Sequence, residues 1–258
     1  MIIAERKTRL RELLARRGMS DLDSLAAELR VSQSTVRRDV DAMVEEGVVQ
    51  RTHGGVIWIG DQRNGPGTRP YAFDQRMGYE IDAKRQIARA ARGLVQPGET
   101  ILVDGGTTTF YLAEELIGLP LQIVTNSLPI ANLFLNNENV ELVLTGGLMY
   151  PRYGVLLGPG AEHAIATIHA KTMFFSVAGV HDGVLYNQNL LLVQAELKMM
   201  KQVQRKVLLV DSSKFERQAL ARLCSLGEID VVVTDSALPK AHQKHIREAG
   251  CELIVASN

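Results

Sequence analysis

Seven short apolar runs after residue 100 constrain the fold of this chain more than any other feature. They are rich in Val, Ile and Leu and show little alternation of polar and apolar positions: ILVD (101–104), LQIVT (121–125), VELVLT (140–145), KTMFFSV (171–177), KVLLV (206–210), DVVVT (230–234) and CELIVA (251–256). Such runs are typical of strands buried on both faces of a sheet. Helical patterns alternate with them at 82–95, 108–117, 128–136, 189–204 and 239–249. This alternation predicts an α/β domain with a mostly parallel sheet and right-handed crossovers.

The chain divides into three zones. Residues 1–58 carry helical patterns and end in Gly and β-branched residues. Residues 59–79 combine Gly and Pro with scattered charges, and we interpret them as a linker. Residues 80–258 form the predicted α/β domain.

Overall charge is balanced, with 29 basic and 29 acidic residues. Composition alone therefore does not indicate a nucleic-acid partner. Residues 1–38, however, hold nine basic and five acidic side chains, which allows a local basic face. No apolar run approaches the ~20 residues needed to span a bilayer, and charges interrupt the N-terminus before a signal-peptide core can form. Two cysteines, Cys224 and Cys251, are too few for a disulfide framework, so we expect reduced thiols and a cytoplasmic location.

The N-terminal zone has the layout of a helix-turn-helix. After an amphipathic stretch at 9–17, Asp21 or Asp23 can cap a short second helix, and Ser32 can cap a third that runs to about Glu46. An inward stripe on that third helix is predicted at Val36, Val40, Met43 and Val44. The segment VVQRTHGGVIWI (48–59) then predicts a two-stranded wing. We predict DNA contacts from the start of the third helix and from the wing: Gln33, Ser34, Thr35, Arg37, Arg38, Arg51 and His53.

The segments SQSTVRRDV (32–40) and EEGVVQRTHGGV (45–56) resemble the signature of DeoR-type bacterial transcription regulators. This resemblance implies that the N-terminal zone is a winged helix-turn-helix that binds operator DNA. Without it, Arg37 and Arg38 would equally fit a solvated helix face.

In the α/β zone, DGGTTT (104–109) joins the first predicted strand to a helix. Glycines at such a turn let backbone N–H groups converge at a helix N-terminus, which suits a phosphate. The segment is neither a Walker loop nor GxGxxG, so nucleotide binding is disfavoured. The simpler alternative is a tight turn without a ligand.

Polar motifs also follow other strands: TNS (125–127), TGG (145–147), AGV (178–180) and DSSKF (211–215). Because ligands bind outside the carboxyl ends of strands in open α/β sheets, these motifs are expected to converge on one crevice. Lys214 offers a cation, and Asp104 and Asp211 offer acceptors for hydroxyl groups. Alternatively, Asp211 caps a helix and Lys214 is an ordinary surface lysine.

Taken in order, these motifs resemble the sensor domain of the same DeoR-type regulators. The resemblance implies a fold similar to ribose-5-phosphate isomerase, glucosamine-6-phosphate deaminase and CoA-transferases, with a phosphorylated sugar or sugar acid as effector. By match it assigns effector binding to Asp104, Gly106, Thr107, Thr108, Asn126, Ser127 and Lys214, and less firmly to Asp211 and Glu196. Gly105, in the same loop, is predicted to belong to the effector site as well. The chain departs from the common pattern at Gly105, where Ser is usual, and over 183–196, where Tyr186, Asn187 and Asn189 are expected to alter the pocket.

We therefore expect a repressor of carbohydrate-metabolism genes that acts as a homo-oligomer and needs no cofactor. An enzyme with an accessory DNA-binding domain is the first alternative; His181–Asp182 would be its nearest acid/base candidate, but the acidic run of the isomerases is missing. No CxxC or HExxH spacing indicates a metal site. A second alternative is a DNA-binding module whose α/β domain only oligomerises.

Overall fold

The computed structural model describes residues 3–17, 19–45, 48–52, 55–58 and 73–257. The chain separates into two compact units, Met1–Tyr79 and Glu80–Asn258. None of the described helices combines the length and the apolarity that crossing a membrane requires.

The N-terminal unit contains helices and short strands in the order α1 (Ile3–Arg17), β1 (Met19–Ser20), α2 (Leu22–Leu29), α3 (Gln33–Glu45), β2 (Val49–Thr52), β3 (Gly55–Trp58) and α4 (Phe73–Met77). As predicted, Asp21 caps α2, since its carboxylate accepts from the Ser24 N–H at 2.7 Å. Strands β2 and β3 pair antiparallel, and β1 adds to β3, which completes a winged helix. The predicted linker contains α4 at its end, whereas 59–72 lie outside the described residues.

Packing in this unit follows the predicted apolar stripe of α3, with one exception. Val36, Val40 and Met43 are completely buried and contact apolar side chains of α1 and α2. Val44, by contrast, is 38% exposed. Position 44 follows Met43 by 100° around the helix and so turns away from α1 and α2.

The C-terminal unit is built on a seven-stranded, entirely parallel sheet. Its elements in chain order are α5 (Ile81–Arg92), β4 (Thr100–Val103), α6 (Thr107–Glu115), β5 (Leu121–Thr125), α7 (Leu128–Leu133), β6 (Val140–Leu144), β7 (Leu148–Tyr150), β8 (Val155–Leu157), α8 (Pro159–Ala166), β9 (Ala170–Phe175), β10 (Gly179–His181), β11 (Val184–Asn187), α9 (Leu190–Met200), β12 (Val203–Leu209), β13 (Ala221–Ser225), β14 (Val231–Thr234), α10 (Lys240–Glu248) and β15 (Glu252–Val255). All seven predicted strands and all five predicted helices of this zone are present, which confirms the α/β class.

Strand order in the large sheet is β15-β14-β12-β9-β4-β5-β6. The chain enters at β4, adds β5 and β6 on one side, and then crosses to add β9, β12, β14 and β15 on the other. The order therefore reverses between β4 and β9. In open α/β sheets the ligand crevice lies at such a reversal, outside the carboxyl ends of the strands. Two smaller antiparallel sheets, β10-β11-β13 and β7-β8, were not predicted.

Candidate functional site

The exposed face of α3 is the first candidate site. Gln33, Ser34, Arg37 and Arg38 are all exposed, while the opposite face of the helix is buried. Each of these positions lies three or four residues from another of the set, so they share one side of the helix. Thr35 is only half-buried and lies at the edge of this face.

At the start of α3, short hydrogen bonds fix the polar side chains. The Thr35 N–H donates to the Ser32 hydroxyl at 3.3 Å, as expected of the predicted cap. That hydroxyl also lies 2.9 Å from the Ser34 hydroxyl and 2.8 Å from the Thr35 hydroxyl. Gln33 Nε2 donates to Asp23 Oδ1 at 2.8 Å, which ties α3 to α2.

Basic side chains in this unit fall into two groups. Arg51 donates through Nε and Nη2 to Asp41 Oδ1, at 2.9 and 2.6 Å, and through Nη2 to the Arg37 carbonyl at 3.3 Å. Arg6 forms a bidentate pair with the buried carboxylate of Asp39, at 2.5 and 3.1 Å. Arg37 and Arg38 make no side-chain hydrogen bond or ion pair within the part of the chain that the structure covers. They are therefore available to a partner on the exposed face of α3. His53, also predicted, lies outside the described residues.

The crevice between β4 and β9 is the second candidate site. Adjacent strands of a sheet are ~4.8 Å apart, so the carboxyl ends of β12, β9, β4 and β5 form one continuous edge. Asp104–Thr108 follow β4, Asn126 and Ser127 follow β5, and Asp211–Lys214 follow β12. The structure thus brings together the effector-binding segments that the sequence predicts.

Within the loop after β4, one threonine closes the turn. The Thr109 hydroxyl accepts from the Gly106 N–H at 2.8 Å and donates to the Asp104 carbonyl at 2.6 Å. Thr107 and Thr108 begin α6, where the first N–H groups have no partner within the helix. Because the Gly106 N–H already donates to the Thr109 hydroxyl, an anion here would be bound by the N–H groups at the start of α6 and not by the Gly106 N–H.

Two glycines in this loop have no room for a side chain. A Cβ atom on Gly105 would lie 2.2 Å from Val155 Cγ1, and one on Gly106 would lie 2.2 Å from Ser176 Oγ. Val155, in β8, thus accounts for the Gly at 105 where Ser is usual. Ser176 follows β9 and belongs to the crevice, although the sequence analysis did not select it.

Four buried oxygen atoms at this edge of the sheet lack a hydrogen-bond partner within the described chain: Asn126 Oδ1, Glu196 Oε2, Asp211 Oδ2 and Thr234 Oγ1. Buried polar atoms are normally paired, so a group of unpaired ones needs an explanation. Asn126, Asp211 and Thr234 stand at the ends of three different strands. All four oxygens can accept hydrogen bonds, and sugar hydroxyls are suitable donors.

A buried hydrogen-bond chain holds Glu196 beside this loop. The Ala178 N–H donates to Asn187 Oδ1 at 3.0 Å, and Asn187 Nδ2 donates to Glu196 Oε1 at 2.5 Å. Glu196 is 2% exposed and Asp104 is 3% exposed. Burial raises the pKa of Glu196 well above its usual value, the Asp104 carboxylate raises it further, and the bond from Asn187 opposes both.

Near the end of β12, Asp211 does act as a cap. Its Oδ1 accepts from the Ser213 N–H at 3.1 Å and from the Ser213 hydroxyl. The Ser212 N–H donates to Asp235 Oδ1 at 2.6 Å. Lys214 is the last residue of the short 3-10 turn that follows. Its side chain is half-buried, which places it between an ordinary surface lysine and an enclosed one.

Of the acid/base candidates, His181 is the last residue of β10 and Asp182 lies in the turn to β11. His181 Nε2 is 3.3 Å from Asp182 Oδ2, but the Asp182 side chain is 86% exposed. Glu216 lies between two histidines, with Oε2 3.5 Å from His181 Nδ1 and Oε1 3.3 Å from His242 Nε2. Across the described ranges, no group of three or more His, Cys, Asp or Glu side chains is arranged to hold a metal ion.

Comparisons with known proteins cover both units. Residues 6–62 match the family described as the DeoR-like helix-turn-helix domain, and residues 79–236 match the DeoR C-terminal sensor domain. The chain is 32% identical over 232 residues to the L-fucose operon activator of Haemophilus influenzae, covering 90% of this chain and 91% of that protein. It is 34% identical over 235 residues to the HTH-type transcriptional regulator UlaR of Escherichia coli K12, covering 91% of each.

Among solved structures, ribose 5-phosphate isomerase A of Methanocaldococcus jannaschii matches 53% of this chain and 55% of that chain, with 20% identity and a TM-score of 0.39. This likeness is too weak to support an argument about function. The sequence relatives are transcriptional regulators over nearly their full length, which excludes the enzyme alternative. The chain is a member of the DeoR family of DNA-binding transcriptional regulators, with a winged helix-turn-helix and a sensor domain.

Proposed function

We propose that this regulator represses carbohydrate-metabolism genes and is released from its operator by a phosphorylated sugar or sugar acid. The observation that carries the proposal is the set of four unpaired buried oxygens at the carboxyl edge of the sheet. Their acceptor capacity suits a ligand rich in hydroxyl groups. Lys214 and the N-terminus of α6 supply the positive end that a phosphate requires.

Release follows from linkage between the two ligands. If the effector binds the DNA-incompetent arrangement more tightly, it shifts the population toward that arrangement. Operator binding itself is assigned to the α3 face, with Arg37 and Arg38 as its main cations. A single recognition helix reads few base pairs, so we propose that the protein binds as a homo-oligomer with paired half-sites.

A thermal-shift screen of the full chain against matched phosphorylated and unphosphorylated sugars tests the effector. Ligand at about 100 times its dissociation constant stabilises a protein by ~2.7 kcal/mol, which is readily detected. We expect stabilisation by one class of phosphorylated sugar and not by its unphosphorylated form. If no compound shifts the unfolding transition, the result favours the oligomerisation alternative or an effector outside the panel.

The sign of regulation needs a separate measurement, because one relative is named an activator. A reporter gene under the promoter next to this protein's own gene should be expressed more strongly when the regulator is deleted. Weaker expression after deletion would make the protein an activator and overturn the repressor proposal.

A further inference from the structure

Strand β6 forms one edge of the large sheet, and its backbone is paired on one side only. Its neighbour is β5, which it pairs in parallel along its whole length. At its two ends, the Asn139 carbonyl accepts from the Leu121 N–H at 3.2 Å, and the Thr145 N–H donates to the Thr125 carbonyl at 3.0 Å. Backbone groups alternate in direction along a strand, so the odd-numbered residues of β6 face β5 and the even-numbered ones face outward.

The outward backbone groups of β6 belong to three residues. The carbonyls of Val140, Leu142 and Leu144 and the N–H groups of Leu142 and Leu144 have no backbone partner among the described residues. The Val140 N–H differs, because it donates to the Asn137 carbonyl at 3.2 Å. A strand edge with free donors and acceptors is a template on which another strand can pair.

The side chains of β6 do not protect this edge. Val143 and Leu144 are 39% and 37% exposed, and Leu135, just after α7, is 69% exposed. Edge strands are usually protected by Lys, Pro or a bulge, but β6, with the sequence VELVL, has no Lys or Pro. Its single charged side chain is directed toward β5, since Glu141 Oε2 accepts from Gln122 Nε2 at 2.6 Å.

The opposite edge of the sheet, β15, has a different character. Its three apolar residues, Leu253, Ile254 and Val255, are all half-buried. Its Glu252 accepts from Arg205 Nη2 at 2.8 Å. Exposed apolar side chains are therefore a feature of the β6 edge and not of sheet edges in this chain generally.

We propose that β6 pairs antiparallel with β6 of a second copy of this chain, about a two-fold axis at Leu142. In this register the Leu142 N–H of each copy donates to the Leu142 carbonyl of the other, and the Leu144 N–H donates to the Val140 carbonyl. Both free donors of each copy thus meet an acceptor, and the pairing covers Val143 and Leu144. This inference rests on the homo-oligomer in the proposed function and names its interface.

Charge and backbone conformation select this register. With the axis at Leu142, Glu141 of one copy lies opposite Val143 of the other. An axis one residue earlier would place Glu141 opposite Glu141, and like charges directly opposite are destabilising. An axis one residue later would pair Val140 with Gly146, which lies outside the strand with a φ of +69°. The strand therefore complements a copy of itself, as a two-fold interface requires.

Cysteine cross-linking of the full chain tests the register. Residues of a hydrogen-bonded antiparallel pair have Cα atoms ~5.5 Å apart, within the distance that a disulfide spans. We expect Leu142→Cys to form a disulfide-linked dimer under mild oxidation. Val140→Cys alone should not, because its two copies would lie ~13 Å apart along the strands. Co-expressed with Leu144→Cys, it should cross-link to that variant. Wild type is the background control, since Cys224 and Cys251 are buried.

A pair of charge variants tests the same register without a cross-link. Val143→Glu places a carboxylate opposite Glu141 of the other copy, whereas Val143→Lys places an ammonium group there. Each contact occurs twice in the dimer, so sedimentation equilibrium should give the Lys variant a dissociation constant at least about fourfold lower than that of the Glu variant. Overall charge favours neither variant, because the chain has 29 basic and 29 acidic residues. The same two substitutions at Leu220, which is 79% exposed, are the control and should give equal constants.

The outcomes separate this interface from the proposed function. A homo-oligomer that shows neither the Leu142→Cys cross-link nor a difference between the two Val143 variants would overturn the interface and leave the homo-oligomer in place. A wild-type chain that stays monomeric both free and on operator DNA would overturn both, and would leave β6 to a strand of another protein. If the predicted cross-links form but the same chain binds neither operator nor effector, the interface stands and the proposed function fails.

Discussion

Arg37 and Arg38 differ from the neighbouring arginines Arg6 and Arg51 because neither forms an ion pair with a described acidic side chain. Arg6 and Arg51 are paired with Asp39 and Asp41, whereas Arg37 and Arg38 point outward from α3. We expect Arg37→Ala or Arg38→Ala to weaken operator binding by about 5- to 150-fold, depending on whether phosphate or base contacts are lost. Fluorescence anisotropy with labelled operator DNA measures this change. Arg9→Ala, an exposed arginine on α1, is the matched control; equal affinities for all three variants would remove α3 from the interface.

In the sensor unit, substitution of Lys214 tests the proposed effector site. It is the cation that the predicted effector motifs place at the carboxyl edge of the sheet, in the 3-10 turn after β12. Lys214→Ala should abolish the response to effector and leave operator binding unchanged, because the α3 face is untouched. The same anisotropy assay, repeated with increasing effector, separates the two effects, and the exposed Lys201→Ala serves as control. Release of the Lys214 variant at wild-type effector concentrations would place the phosphate elsewhere.

At the scale of elements, the loop after β4 packs closely against strand β8. Any side chain at Gly105 would collide with Val155, a fully buried β-branched residue with little rotamer freedom. Gly105→Ser should therefore destabilise the protein by about 1–3 kcal/mol, the usual cost of overpacking. Val155→Ala in the same chain should restore part of the loss. Urea unfolding of both single variants and the double variant measures this coupling, and additive effects would mean that the two positions do not contact.

Elements with a strong local pattern could be predicted, and elements that depend on distant pairing could not. The seven strands of the large sheet are recognisable because burial on both faces makes them continuously apolar. Strands β10, β11 and β13 have three to five residues each, and β13 pairs with a strand more than 30 residues earlier in the chain. Helix α8, of eight residues, is likewise too short to show a clear period.

The same distinction applies to the candidate site. Residues that follow strands could be placed at the crevice, since parallel strands end at a common edge. Glu196 could be carried over only by resemblance, because nothing in an acidic residue on a helix indicates that tertiary packing will bury it. Ser176 and Thr234 were missed for a related reason: single hydroxyls at the ends of apolar runs are common, and only their position in the folded sheet distinguishes them.

For the whole molecule, the proposed function requires that operator and effector binding be coupled through one equilibrium. The two proposed sites belong to different units, and the proposed function has the effector act on DNA affinity through a change in population. A coupling of about 1–3 kcal/mol would lower operator affinity about 5- to 150-fold.

Thermodynamic linkage makes this coupling reciprocal. Whatever factor the effector imposes on operator affinity, saturating operator must impose on effector affinity. We expect calorimetric titration of effector into the protein–operator complex to give a dissociation constant raised by that same factor. DNA of scrambled sequence is the first control. Arg38→Ala is the second: at operator concentrations that saturate wild type, this variant should bind the effector equally with and without operator. An effector dissociation constant that keeps rising in proportion to operator concentration, without reaching a plateau, would mean that release occurs by direct competition and not through a shift between two states.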